Sequence, residues 1–416
     1  MKFIDFGFDD SLMDGIDAMG YDTATPVQAQ VIPEILAGRD IIAAAQTGTG
    51  KTAAFLLPLM QRLIEEEHDG HTINAMIIVP TRELAMQISQ VLEGISYFTP
   101  VSSIAVYGGG DGSLFATERK ALTSGVDIVI CTPGRMISHL NMGYVKLNGL
   151  RYLVLDEADR MLDMGFYEDI LKIISHLPTE RQNLLFSATM PPAMRKLANT
   201  ILRNPAEVNI AISRPPDQIV QKAFVVYEPQ KIPVVKYILS QKEFGSVIVF
   251  CSSKLSVKKL SDELRRSGFL ADQIQSDLEQ AKREEVLLNF RNKKLKILVA
   301  TDILSRGIDI EDIDLVINFD VPHDGEDYIH RIGRTARAAT RGTAYTLISD
   351  EEQYKFHRIE RLLGHPVDKE PVPEQFGAAP VPQDASAAPK KKKKYRNFKK
   401  KGNGPKKPGQ NQGKPS

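Results

Sequence analysis

One run of eight residues does most to restrict the fold. Residues 45–52 read Ala45-Gln46-Thr47-Gly48-Thr49-Gly50-Lys51-Thr52. They close a short apolar run, 40–45, and open a helical pattern that continues to residue 64. A loop of small residues between a strand and a helix aims its backbone N–H groups at one spot, at the positive end of the helix, and holds phosphate there. The spacing is that of G-x-x-x-x-G-K-[ST], with Ala45 in place of the first glycine. Lys51 then reaches the β- and γ-phosphates of a nucleotide, and Thr52 offers its hydroxyl to Mg²⁺. Such a loop is fed by a strand of a parallel sheet, so an α/β chain is expected. A second motif agrees. Asp156-Glu157-Ala158-Asp159 follows the apolar run 152–155, which places Asp156 at a strand's carboxyl end. There it completes the Mg²⁺ shell, and Glu157 is placed to orient or deprotonate an attacking water. The two motifs together point to a nucleoside triphosphate with Mg²⁺.

The rest of the chain repeats the alternation. Apolar runs at 40–45, 75–79, 127–131, 152–155 and 183–186 are separated by helical patterns. A second series runs through 223–227, 246–251, 295–300, 315–319 and 343–348. Between them Pro205, Pro215 and Pro216 interrupt the pattern. The expected organisation is a first domain over 1–208, a linker over 209–219, a second domain over 220–365 and a disordered basic tail over 366–416. The second series has no phosphate loop, so one nucleotide site is expected and the second domain needs another purpose.

Charge is unevenly placed. The chain holds 53 Lys+Arg and 52 Asp+Glu, yet residues 390–416 carry 12 Lys+Arg and no acid, leaving 41 basic against 52 acidic residues, a formal −11, elsewhere. A basic tail on an acidic body fits a polyanionic partner. Tyr395 and Phe398 inside that tail can stack on unpaired bases. No run approaches the ~18 consecutive apolar residues of a membrane span, and the first residues lack an apolar signal core. A cytoplasmic protein without membrane partners is expected, with Cys131 and Cys251 as reduced core residues.

The remaining motifs fall in a fixed order. Gly20-Tyr21 precedes Thr25-Pro26-Val27-Gln28, and Gln28 offers a donor and an acceptor suited to adenine. Pro80-Thr81-Arg82-Glu83-Leu84-Ala85, Gly108-Gly109 and Thr132-Pro133-Gly134-Arg135 each follow a strand-like run. Ser187-Ala188-Thr189 ends another, with two hydroxyls expected to bond Asp159. The second half carries Phe250-Cys251-Ser252-Ser253, Gln280 with Arg283, Ala300-Thr301-Asp302, Arg306-Gly307-Ile308-Asp309 and His330-Arg331-Ile332-Gly333-Arg334-Thr335-Ala336-Arg337. Arg334 and Arg337 are three apart, which one helical turn presents on one face.

From about residue 3 to 348 the chain resembles the DEAD-box RNA helicases. The resemblance implies two tandem RecA-like domains, each a parallel sheet flanked by helices, closing on ATP and RNA. It implies that Phe3 stacks on the base, Gln28 reads adenine, and residues 45–52 with Lys51 hold the phosphates. Asp309 would meet the ribose, while Thr52 and Asp156 hold Mg²⁺. Lys51, Asp156 and Glu157 would work with Ser187, Thr189, His330 and the arginine fingers Arg334 and Arg337 in hydrolysis. RNA would lie on Pro80, Thr81, Arg82, Gly108, Gly109, Thr132, Gly134, Arg135, Gln280, Arg283 and Thr301. The sequence departs from the family at Ala45, at Ala336 and at Ser276-Asp277 before Gln280. Its tail resembles that of the bacterial RhlE-type subgroup.

The function so implied is ATP-dependent local unwinding of short RNA duplexes, with single-stranded and duplex RNA, in ribosomal precursors or messenger particles, as partners of a monomeric core. The same motifs would serve an ATP-gated RNA clamp. A DNA translocase shares many of them. A metabolic phosphate-loop kinase does not need the paired arginines.

Overall fold

The computed structural model describes residues 1–45, 49–66, 72–109, 112–209, 219–275, 277–301, 313–323, 325–335 and 342–382. Of the expected site, Gln46, Thr47, Gly48, Asp309 and Arg337 lie outside the described residues, as do Ser276, Ala336, most of the linker and the basic run of the tail.

The strands of the first half are β1 Ile41–Ala44, β2 Ala75–Ile78, β3 Ser103–Val106, β4 Ile128–Cys131, β5 Tyr152–Leu155, β6 Gln182–Ser187 and β7 Ala206–Asn209. Those of the second are β8 Ile219–Val226, β9 Val247–Cys251, β10 Ala271–Ile274, β11 Ile297–Thr301, β12 Leu315–Asn318, β13 Gly342–Ser349 and β14 Asp368–Glu370. They form two seven-stranded sheets, ordered β3-β4-β2-β5-β6-β1-β7 and β10-β11-β9-β12-β13-β8-β14. Every pairing within them is parallel. Counted from its own first strand, each sheet has the order 3-4-2-5-6-1-7. The two halves are therefore topological copies, although no repeat is evident in the sequence.

The apolar runs become strands because both faces of each sheet are covered by helices. In the first domain Ile41, Ile77, Ile130 and Val154 enter one core layer. Their neighbours Ile42, Ile78, Val129 and Leu155 enter the other. In the second domain Ile248, Phe250 and Leu298 fill one layer, and Val249, Cys251 and Val299 the other. Fully burying side chains of this size contributes about 1.5–3 kcal/mol each. Both cysteines are buried and unpaired with each other, with burial raising the Cys131 thiol's pKa.

The chain departs from its expected boundaries at both ends of the second domain. β7 and the start of β8 take residues assigned to the interruption around the linker: β7 pairs with β1, and β8 begins at Ile219. Residues 366–382, expected as disordered tail, are packed on the second domain. β14 pairs with β8. The Gln230 side-chain amide donates to the carbonyls of Phe376 at 2.8 Å and Ala378 at 3.0 Å, and Phe376 meets Tyr237 edge-on. The proline-rich composition of this stretch does not form a core of its own but docks on one already built.

Candidate nucleotide and nucleic-acid site

The phosphate loop follows β1 and the acidic motif follows β5, two central strands on either side of β6; both motifs sit at the carboxyl ends of the strands, where a doubly wound sheet opens a crevice. Ala45, just after β1, donates its N–H to the Ser187 carbonyl at the end of β6 (3.1 Å). Gly50 takes φ +88° to turn the chain into the helix Lys51–Glu65. A Cβ on Gly50 would lie 2.5 Å from Gln28 Nε2, so glycine is required twice over, by conformation and by space. Lys51 is buried at the start of that helix, close enough to Asp156 to favour its charge.

Asp156 is buried, and burial pushes its carboxyl up to about 6; Lys51 opposes the shift, while Glu157 and Asp159 add to it. Its Oδ1 accepts the Glu157 N–H at 2.9 Å. Glu157 itself adopts φ +50°, ψ +47°, and its Oε2 accepts from Arg160 Nη1 at 3.1 Å. A non-glycine residue held in this region stores backbone strain and needs surrounding structure to keep it there. Asp159 is bound by backbone: its Oδ1 accepts from Arg160 N–H at 3.0 Å and its Oδ2 from Thr189 N–H at 3.0 Å. This corrects the expectation for Ser187-Ala188-Thr189. Asp159 is met by the Thr189 amide, and the Ser187 hydroxyl instead donates to the Thr189 carbonyl at 2.7 Å. The two hard oxygen donors proposed for Mg²⁺, the Asp156 carboxylate and the half-buried Thr52 hydroxyl, suit an ion that keeps several waters and shares its remaining sites with phosphate. The buried, charge-costly carboxylate of Asp156 fits a cation in the same way.

The adenine end differs from expectation. Thr25-Pro26-Val27-Gln28 is a helix start, with Thr25 as N-cap, Pro26 in the first turn and Gln28 closing a capping box. Gln28 Oε1 accepts the Thr25 N–H at 2.8 Å and its Nε2 donates to the Gly50 carbonyl at 3.0 Å. One side chain thus ties this helix to the phosphate loop. Phe3, expected to stack on a base, is 2% exposed and packs against Phe6 and Tyr21 with ring centroids 6.0 Å away. Its ring faces are occupied by protein, because the core under the first helix needs the apolar volume more than it can leave a face open.

The loops expected to hold RNA lie at the same sheet edge. Thr81 caps the helix Arg82–Ile95, its hydroxyl accepting from Leu84 N–H at 3.3 Å, and Pro80 is buried. Gly109 is exposed with φ +93°, and a Cβ there would fall on the Arg82 guanidinium. The bare loop Gly108-Gly109 is what lets Arg82 lie across it. Thr132 begins the helix Pro133–Leu140 without a side-chain cap bond, and Gly134 is exposed in its first turn. Arg135 is committed elsewhere. It pairs with Glu118, a carboxylate with 0% exposure, at 2.6 Å and lies over the Phe115 ring at 4.5 Å. Glu118 also accepts from Tyr107 N–H at 3.1 Å and meets His139 Nε2 at 3.0 Å. One buried acid therefore joins the glycine loop to the Thr132 loop, a role that its place in a polar helical stretch did not signal.

In the second domain Lys231 is buried among Asp320 at 2.7 Å, Glu228 at 3.0 Å and Glu352 at 3.2 Å. Asp320 in turn accepts the Ser252 N–H at 2.8 Å, which fixes the Phe250-Cys251-Ser252-Ser253 motif. Thr301 is buried at the carboxyl end of β11. Gln280 opens the helix Gln280–Arg291. Arg283 reaches across to the first domain and pairs with Glu83 at 2.7 Å, a partner that the sequence motif around Arg82 does not signal. The helix Gly325–Ile332 carries His330 and ends before Arg334, whose N–H bonds Arg331 O at 3.2 Å in a tight turn. The expected single helical face for Arg334 and Arg337 is thus not formed at Arg334. Arg331 is structural: it donates to Asn318 Oδ1 at 3.1 Å and to the Asp320 carbonyl at 3.0 Å. Asp159, Thr189 and His330 line one cleft of about 570 Å³ between the domains, with Asp327 and Arg358 on the second-domain wall.

Comparison with known proteins agrees with this geometry. The DEAD/DEAH box helicase family model matches residues 25–197, and the helicase conserved C-terminal domain matches residues 230–339. The ATP-dependent RNA helicase CshA of Listeria monocytogenes is 42% identical over 360 residues, covering 86% of this chain and 68% of that protein. CshA of Bacillus subtilis is 40% identical over 375 residues, covering 89% of this chain and 75% of its own. Among solved structures, S. cerevisiae Dbp5 bound to RNA and ADP BeF3 overlays with a TM-score of 0.79 at 28% identity, over 89% of this chain and 95% of that one. A Dbp5 variant bound to Nup159, Gle1, IP6 and ADP overlays over the same 89% of this chain, and 96% of its own, with a TM-score of 0.63. The fold and site define a two-domain RecA-like ATPase. The chain belongs to the DEAD-box family of ATP-dependent RNA helicases. These relatives bear the name CshA and do not carry the finer likeness to the RhlE-type subgroup. No helix among the described residues is long and apolar enough to cross a membrane.

Proposed function

We propose that this helicase separates short RNA duplexes locally, each ATP turnover being gated by closure of the two domains on RNA. The observation that carries the reading is the shared cleft, where the first domain's Asp159–Thr189 link faces His330 of the second. Lys51 holds the phosphates, Gln28 the adenine edge through the contacts left to its amide, and Asp309 the ribose. Thr52 and Asp156 hold Mg²⁺, which when bound draws charge off the phosphates. Glu157 orients and deprotonates the water. Arg334 and Arg337 meet the charge that develops in the transition state, an effect of about 10³–10⁵ in rate where such arginines are supplied to GTPases. Thr189 and His330 report the state of the acidic motif to the RNA side.

On that side Thr132 and the exposed backbone of Gly109 and Gly134 hold phosphates, with Arg82, Gln280 and Thr301 around them. Pro80, Thr81, Gly108, Arg135 and Arg283 shape and brace the loops. The Glu83–Arg283 pair and the better overlay with RNA-bound Dbp5 support reading the described arrangement as the closed one. The first domain spans 1–209, the second runs on to 382, and the remainder serves as a basic tether. The setting is cytoplasmic, the core monomeric, and the substrates are structured ribosomal-precursor or messenger RNA.

The test is ATP hydrolysis with and without single-stranded RNA. Lys51→Ala should abolish turnover. Glu157→Gln should bind Mg-ATP, hydrolyse slowly and remain on RNA as a long-lived complex. Normal turnover by Glu157→Gln would remove Glu157 from the reaction.

A further inference from the structure

Three described residues other than glycine have positive φ: Glu157, Asn204 and Lys293. Asn204 and Lys293 are exposed in turns, and Glu157 is buried. At the first two the strained backbone faces solvent. At Glu157 it is held, and it sets where the side chain leaves the backbone. That side chain is then gripped at its far end. Arg160, three residues on and in the first turn of the helix Ala158–Asp163, places Nη1 3.1 Å from Glu157 Oε2. The two side chains are 5% and 10% exposed, so solvent does not loosen the pair. Oε1 has no hydrogen bond among the described residues. Arg160 is itself anchored through its backbone N–H on Asp159, the residue that holds Thr189.

We propose that Arg160 is a positioning residue for the hydrolytic step: its guanidinium fixes the Glu157 carboxylate by one oxygen and leaves the other aimed at the attacking water. The inference rests on the reading of Glu157 as the carboxylate that orients that water. A planar fork is suited to the task, because it fixes direction as well as charge, which an ammonium does not. Without the clamp, a carboxylate on a strained backbone beside Asp156 and Asp159 would turn away from them, toward Lys51 or into the cleft. Arg160 touches neither nucleotide nor water in this scheme. Its loss should therefore slow the chemical step while leaving nucleotide binding intact. The same anchor places the clamp one residue from Asp159, so movement of Thr189 on domain closure would be felt at Glu157.

The experiment is a double-variant cycle on the full chain at saturating RNA, using Arg160→Met, Arg160→Lys and Glu157→Gln. Arg160→Met should lower kcat about 10–100-fold, the scale of a reacting group displaced by an ångström. KM for ATP, and affinity for a non-hydrolysable ATP analogue, should stay within about twofold. Arg160→Lys should recover part of the loss. In the Glu157→Gln background Arg160→Met should cost nothing further, because the group it positions is already gone. An equal loss in both backgrounds, or a rise in KM with kcat unchanged, would overturn the proposal and leave Arg160 as a packing residue. Should Arg160→Met melt below the assay temperature, Arg160→Lys runs the same cycle, with its smaller loss again confined to the Glu157 background. Full turnover by Glu157→Gln is a different outcome: it removes the base itself, and the positioning role with it.

Discussion

At the scale of the residue, the place of the acidic motif at a strand's carboxyl end was legible, but not how its members are held. Asp156 could be placed from a strand end alone. That Thr189 meets Asp159 through a backbone amide could not, because sequence carries side-chain identity and says little of main-chain donors. Arg160 left one signal, the i,i+3 spacing from Glu157, which is too common on helices to single out a pair. Gln28 has chemistry suited to adenine, and the Thr25-Pro26-Val27-Gln28 pattern also encodes the capping box in which its side chain is engaged. Asp156 gives a pH prediction. Its carboxyl is raised from 3.8 to about 6, chiefly by burial. A raised carboxyl favours the fold below its ordinary value, and that contribution is lost as pH rises through about 6. Mg²⁺ requires the ionised form, so Mg²⁺-dependent ATP affinity should fall about tenfold per pH unit below about 6. Asp156→Asn should abolish both the metal dependence and the slope. A Mg²⁺-dependent affinity that stays flat from about pH 7 to 5 would contradict the assignment.

At the scale of the element, central strands were legible and edge strands were not, for one reason. A central strand of a parallel sheet is covered on both faces, so it reads as an unbroken apolar run. The sheet edges are β3, β7, β10 and β14. β7 alternates buried and exposed residues, β10 holds Asp272 and Gln273 in half-buried positions, and β14 is Asp368–Glu370. Three of these four escaped the pattern, and β3 was seen only in part. The loops beyond the strands were placed by their motifs, although Arg135 and Arg283 turn out to be engaged by Glu118 and Glu83. The glycine loop after β3 offers a test. Gly109→Ala adds a Cβ at φ +93° and onto Arg82. It should cost about 1–2 kcal/mol of stability and weaken RNA binding about tenfold, as lost phosphate contacts would. ATP affinity without RNA should be unchanged. Unaltered RNA affinity in a stably folded Gly109→Ala protein would place the RNA path elsewhere.

At the scale of the whole molecule, the strand order shows a duplication that the sequence conceals. In the mechanism proposed above, one copy keeps the phosphate loop and the other supplies the arginines, so that hydrolysis depends on the two meeting. Composition sets the basic run 390–416 apart from the body but misjudges where packing ends, because residues 366–382 borrow a core built by β8 and the helix Lys231–Ser240. Removing residues 390–416 should leave ATP hydrolysis at saturating RNA intact and lower RNA affinity. With about four of the 12 charges on phosphates, the log–log salt slope should drop by about 3, worth about 50-fold in affinity between roughly 50 and 200 mM salt. An unchanged slope would mean that the tail does not touch RNA. The central claim, that ATP-driven closure separates strands, is tested most directly by displacement of one labelled strand from a short RNA duplex. Displacement should require ATP and be absent in Lys51→Ala. ATP-dependent retention on RNA with no strand released would contradict it and make the protein a clamp.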